Sequence, residues 1–152
     1  MAHSFKRFVL IASSSIVIII AILFTVYRPK NIATLVLSDY YSSPVLCQII
    51  FNRPMEETNS INLNEEETQL LLVKLNNTPI RYSASSWNGF KESHEYQFAI
   101  IIQDSRTGIE YANIIIRENG LLNVSNTVYR ITQRHAQEEL IAHLKTICHI
   151  FE

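Results

Sequence analysis

The densest grouping of metal-ligand residue types in the chain is His135-x3-Glu139-x3-His143. On a helix each four-residue step turns the side chain by about 40°, so the three would line one stripe. Zinc asks for three or four nitrogen, sulfur or carboxylate ligands converging at about 2.0–2.3 Å. A straight stripe two turns long does not converge on one ion without ligands from another element. This one also lies away from the apolar positions Leu140, Leu144 and Ile147. It reads as a solvated helix face, and neither a metal nor a cofactor is expected. The parts for nucleophilic catalysis are present but scattered: Ser83, Ser85 and Ser86, with His94 or His135 as base and Asp39 or Asp104 as orienter. No G-x-S-x-G elbow fixes a nucleophile. Cys148 precedes His149, but consecutive helix residues point about 100° apart. Three dispersed glycines leave no loop to cradle a phosphate. An enzyme is not expected.

Binding is the better prospect. Trp87, Asn88 and Phe90 sit in a Ser- and Asn-rich stretch, a common setting for an aromatic anchor that grips a protein or peptide partner. The competing reading folds Trp87 back over an open end of the core. Thr58 to Leu63, if extended, would offer a free strand edge for another chain to pair with. Cys47 and Cys148 are the only cysteines. In an oxidising compartment they could close a disulfide stabilising by about 4–5 kcal/mol, and otherwise they pack as two buried thiols.

The elements that must position these residues begin with an apolar segment. Phe8 to Tyr27 reads FVLIASSSIVIIIAILFTVY, without a charge. About twenty helical residues span about 30 Å, the hydrocarbon thickness of a bilayer. Residues 8–27 are therefore expected to form a transmembrane anchor in contact with the lipid bilayer, after a short cytoplasmic tail over 1–7. No small-residue cleavage pattern follows, so the anchor is read as uncleaved. Lys6 and Arg7 on one side nearly balance Arg28 and Lys30 on the other, and the short N-terminal side favours an extracytoplasmic domain over 31–152. Beyond Lys30, nine basic residues face fourteen acidic ones, a net −5 with histidine neutral. That sign argues against nucleic acid as a partner.

Within the domain, Ile32 to Leu37 and Val45 to Phe51 have the β-branched content of strands and are expected to form a hairpin. Asn64 with Glu67 suggests a capping box opening a helix that runs to Leu75. Glu95–Gln103, Ile109–Arg117 and Leu121–Ser125 read as a meander turned by Ser105 to Gly108 and by Asn119-Gly120, with Val128 to Ile131 close behind. The runs Ile100–Ile102 and Ile114–Ile116 suggest strands covered on both faces. A last helix, from about Gln133 to Ile147, presents Leu140, Ile141, Leu144 and Ile147 to the sheet. The expected fold is α+β: an N-terminal transmembrane helix, then an antiparallel sheet of about five strands with two helices.

This order, from the apolar segment through Ile32 to Ile147 and with the Val128-Tyr129-Arg130-Ile131 segment before the closing helix, resembles small membrane-anchored extracytoplasmic domains of unknown function from Gram-positive Firmicutes. Asn123 to Thr127 departs from the acidic or aromatic motif that such domains place before the tyrosine. The resemblance carries no catalytic residue across. The anchor together with the Trp87 loop or a sheet edge leads to the expectation of a single-pass protein of the cell membrane acting as a non-enzymatic interaction or accessory module of the envelope. Two alternatives stand beside it: the sensory ectodomain of a regulatory pair, and a metal-dependent enzyme built on His135, Glu139 and His143.

Overall fold

The computed structural model describes residues 15–25, 28–36, 44–52, 57–84 and 95–150. Residues 15–25 form helix α1. There follow β1 (Lys30–Asn31), α2 (Ile32–Val36), β2 (Val45–Asn52), β3 (Asn59–Asn62), α3 (Glu65–Asn76), β4 (Pro79–Tyr82), β5 (Gln97–Asp104), β6 (Glu110–Arg117), β7 (Leu121–Val124), β8 (Thr127–Ile131) and α4 (Arg134–Ile147). The strands form one sheet in the order β1-β4-β8-β7-β6-β5-β2-β3, and every neighbouring pair is antiparallel.

Two expectations are corrected. The transmembrane helix over 8–27, and the single-pass membrane protein built on it, meet the finding that no helix among the described residues is long and apolar enough to cross a membrane. At 1.5 Å per residue, α1 covers about 16 Å of the roughly 30 Å required. Residues 8–14 and 26–27 lie outside the described residues, as do 1–7. The sheet, expected with about five strands, has eight among the described residues. The additional ones are short: β1 has 2 residues, while β3 and β4 have 4 each.

The core follows from strand alternation. Side chains along a strand point to opposite faces in turn. Ile49, Ile100, Ile114 and Val124 therefore share one register row, and Phe51, Phe98, Ile116 and Leu122 share another on the same face. Ile49, Phe98, Ile100, Ile114, Ile116 and Leu122 are fully buried. Leu71 and Leu75 of α3 and Leu140, Ile141 and Leu144 of α4 close over that face, so both helices lie on one side of the sheet. Ile101 and Ile115 fall on the opposite face and are half-buried. The isoleucine runs are thus deeply covered on one face only.

Local chemistry sets the element ends. Asn64 Oδ1 accepts from the Glu67 amide at 2.9 Å, and Glu67 Oε2 accepts from the Asn64 amide at 3.0 Å, which completes the expected capping box. The β7–β8 turn holds Ser125 at φ 49° and Asn126 at φ 64°, the pair of positive dihedrals that a two-residue hairpin of primed type requires. The expected strand over Ile32–Leu37 is corrected too. Ile32–Val36 is helix α2, started where the Thr34 hydroxyl donates to Asn31 O (2.7 Å) and accepts from Asn31 N (3.2 Å). Fully buried Ile32 joins the core from that turn, so burial overrides β propensity. β2 accordingly pairs with β3 and β5, and not with the segment before it.

Ile100→Ala should cost about 2–5 kcal/mol of unfolding free energy, since the central row cannot collapse around the hole. Ile101→Ala, one residue away on the other face, should cost visibly less. Chemical denaturation of both variants checks this; equal losses would contradict a one-sided core.

Candidate functional site

β3 ends the sheet. Asn62, Ile61, Ser60 and Asn59 pair with Gln48, Ile49, Ile50 and Phe51 of β2, and among the described residues no strand pairs with the outer side of β3. Asn59, Ser60 and Asn62 are exposed, while Ile61 packs against the core. The pairing continues one step, with the Leu63 amide donating to Cys47 O at 2.9 Å. There α3 takes over: the Cys47 amide donates to the Thr68 hydroxyl at 3.2 Å, and Thr68 is fully buried. Helix and strand divide the edge of β2 between them, which leaves the outward amides and carbonyls of β3 facing outward. Native edges are commonly guarded by charge, proline or a bulge. β3 reads NSIN and carries neither charge nor proline.

The histidine stripe is set differently. His135 Nε2 lies 3.7 Å from Glu139 Oε1, and Lys74 Nζ of α3 lies 4.0 Å from Glu139 Oε2. Burial first, and Lys74 second, hold the His143 imidazole below its ordinary range. Its Nε2 is buried and has no hydrogen-bond partner among the described residues. Among the described residues no group of three or more His, Cys, Asp and Glu side chains is arranged to hold a metal ion. Glu139 instead bridges toward α3.

A second polar group fastens α4 to the sheet. Glu118 Oε2 accepts from the Tyr96 amide at 2.6 Å, and its Oε1 pairs with Lys145 Nζ at 2.7 Å. Gln137 Nε2 donates to Glu118 O at 2.7 Å, and Lys145 Nζ stands 5.8 Å from the centre of the Tyr96 ring. Sequence reasoning gave no weight to Thr68, Glu118, Gln137 or Lys145. Each acts through a partner distant in the chain, so no local spacing announces it.

Of the candidate nucleophilic set, the Ser83 amide donates to Val128 O, extending β4. Asp104 locks the β5–β6 turn: its carboxylate accepts from the Tyr111 hydroxyl and from the Thr107 and Arg106 amides. These bonds, the tyrosine first, push it down to about 2. Asp39, Ser85, Ser86, His94 and the proposed anchor Trp87, Asn88 and Phe90 lie outside the described residues.

Cys47 and Cys148 are free thiols, both buried in the core cluster. Burial pushes each up to about 12, with the Thr68 contact acting in the opposite direction at Cys47. Comparison with family models, with curated proteins and with solved structures gives no match.

Both thiols should resist an aromatic disulfide reagent in the native protein and react fully once it unfolds. Above the ordinary thiol range the unfolded chain loses protons that the native chain keeps, so stability should fall as pH rises toward 12. Cys47→Ala with Cys148→Ala should flatten that fall. Rapid stoichiometric labelling of the native protein would contradict it.

Proposed function

We propose that the chain is a non-enzymatic interaction module that receives an extended segment of a partner protein along β3. The observation that carries this reading is the unguarded outer edge of Asn59–Asn62, exposed on its polar positions and anchored from behind by Ile61. Added strands gain affinity from main-chain hydrogen bonds, and alternate side chains give specificity. β3 is also held in register. Four consecutive pairs to β2 fix it from Gln48 to Phe51, and the Thr68 contact stops it from sliding past Cys47.

A displayed library of extended peptides, selected against the full chain, tests the reading. Selected peptides should alternate apolar and polar residues. Ser60→Lys with Asn62→Lys should weaken their binding by about ten-fold or more, roughly 1.4 kcal/mol. Glu138→Lys on the exposed side of α4 should leave it unchanged. Binders that ignore the β3 substitutions would overturn the proposal.

A second reading concerns α1. Its Ile16, Val17, Ile18, Ile19, Ile20, Ile22, Leu23 and Phe24 are 49–73% exposed, a continuous apolar surface. Soluble monomers seldom leave such a patch bare. We infer that this segment touches a lipid surface without α1 itself crossing it. Full-length chain should co-sediment with phosphatidylcholine vesicles, and Ile18→Glu with Ile22→Glu should abolish that. Co-sedimentation equal for both proteins would remove the lipid contact and leave the β3 reading intact.

A further inference from the structure

The register of β3 decides which of its backbone groups can meet a partner. In an antiparallel pair, opposed residues alternate between exchanging hydrogen bonds and turning their backbone groups away. The Leu63 amide donates to Cys47 O, so these two form a bonded pair one step beyond Asn62 and Gln48. Counting back, Ile61 and Asn59 bond to Ile49 and Phe51, whereas Asn62 and Ser60 turn their amides and carbonyls outward. The next amide of that outward set belongs to Asn64, and Glu67 Oε2 occupies it at 3.0 Å. The open ladder therefore stops at Asn62. An antiparallel segment laid against it exchanges one pair of main-chain bonds with Ser60 and another with Asn62.

Ile61, between them, falls in a non-bonded pair with that segment, where Cα atoms approach to about 4.5 Å and side chains come closest. Ile61 is half-buried and packs against the core. A charge opposite it would lose water without gaining a partner, so the facing residue is apolar.

Charge sets the flanks. From Glu57 to Glu67 the acidic residues are Glu57, Glu65, Glu66 and Glu67, and no basic residue falls among them. Glu67 serves the capping box, while Glu57, Glu65 and Glu66 are exposed. Glu57 and Glu65 stand at equal sequence distance on either side of Ile61. The backbone is still extended at Asn64, with φ −74° and ψ 178°. The edge is thus uncharged in its middle and acidic at both ends. A second copy of this chain is a poor occupant. Paired antiparallel about Ile61, it would set Glu57 against Glu65 of the other copy at both ends, and opposed like charges destabilise a strand pair.

We propose that the β3 edge takes an extended cationic segment of another protein, with an apolar residue opposite Ile61 and a Lys or Arg about three or four positions to either side. This rests on the reading of β3 as a strand-addition site and adds the chemical class of its occupant. The central bonds hold any extended chain, and the carboxylates select a basic one.

Fluorescently labelled peptides, titrated with the full-length chain and followed by anisotropy, test the proposal. The probes are KTSTVTSTK, its counterpart ETSTVTSTE, and KTSTVTSTK with N-methyl groups on the two residues flanking valine. At low salt the lysine peptide should bind about ten-fold or more tightly than the glutamate peptide, with the gap narrowing as ionic strength rises. N-methylation should weaken it by about ten-fold or more, because those amides face Ser60 and Asn62. Glu57→Lys with Glu65→Lys should erase the preference, while Glu138→Lys on α4 should preserve it. If the double variant fails to fold by circular dichroism, the peptide comparison on the unsubstituted chain decides. Equal binding of the lysine and glutamate peptides, both lost in Ser60→Lys with Asn62→Lys, would overturn the cationic assignment and leave strand addition standing. Binding of the lysine peptide that ignores N-methylation would overturn both, as would no binding of any probe together with an empty peptide selection. A dimer in light scattering that Ser60→Lys with Asn62→Lys disperses would give the edge to a second copy and overturn the proposal.

Discussion

Ile49, Ile100 and Ile114 stand in one row across β2, β5 and β6, each fully removed from water. Directly opposed residues of antiparallel strands bring their Cβ atoms to about 4.5–5.5 Å, where β-branched side chains interlock. Phe51, Phe98, Ile116 and Leu122 repeat the arrangement one row along. Full burial of an isoleucine or phenylalanine side chain is worth about 1.5–3 kcal/mol by area. Two adjacent rows of this kind make the floor on which α3 and α4 rest. Because register shifts by one residue would turn every member outward, the same rows also fix strand pairing across the sheet.

The functional features are consequences of that pairing. With β2 held at full length against β5, its other edge is available, and β3 fills only the part from Gln48 to Phe51. Thr68 satisfies the next amide, so the edge closes at α3 and stays open along β3. On the far side, Glu118 gathers Tyr96 and Lys145 while its carbonyl accepts from Gln137, which keeps α4 over the core. Polar groups at the helix interface are thereby committed: Glu139 faces Lys74, and burial first, then the same lysine, push the His143 imidazole below its ordinary range.

What the amino-acid order announced was whatever depends on near neighbours. The capping box at Asn64 and Glu67, the turn at Asn119-Gly120 and the apolar stripe of α4 all follow from residues a few positions apart. That β5 and β6 are strands was also readable from their isoleucine runs, but the runs suggested cover on both faces, and the one-sided burial along them was not readable. Nor were residues decided by distant partners. Ile32 sits in a helical turn because the core takes its side chain, although its neighbours favour a strand. β3 and β4 are four-residue strands held extended by distant neighbours, β2 in the one case and β1 and β8 in the other. For α1, apolar composition suggested a span, whereas the described helix is too short for one. The edge near Thr58 to Leu63 was anticipated as a possibility, conditional on a pairing that no local pattern could supply.

Native-state amide hydrogen exchange, residue by residue, tests the dependence of the whole fold on its central rows. Amides of β2, β5 and β6 should exchange slowest, at the rate set by global unfolding, while those of β1, the outer side of β3 and α1 exchange far sooner. If instead the slowest amides belong to α4, or β5 exchanges before the helices that pack on it, the isoleucine rows are not what holds this protein together.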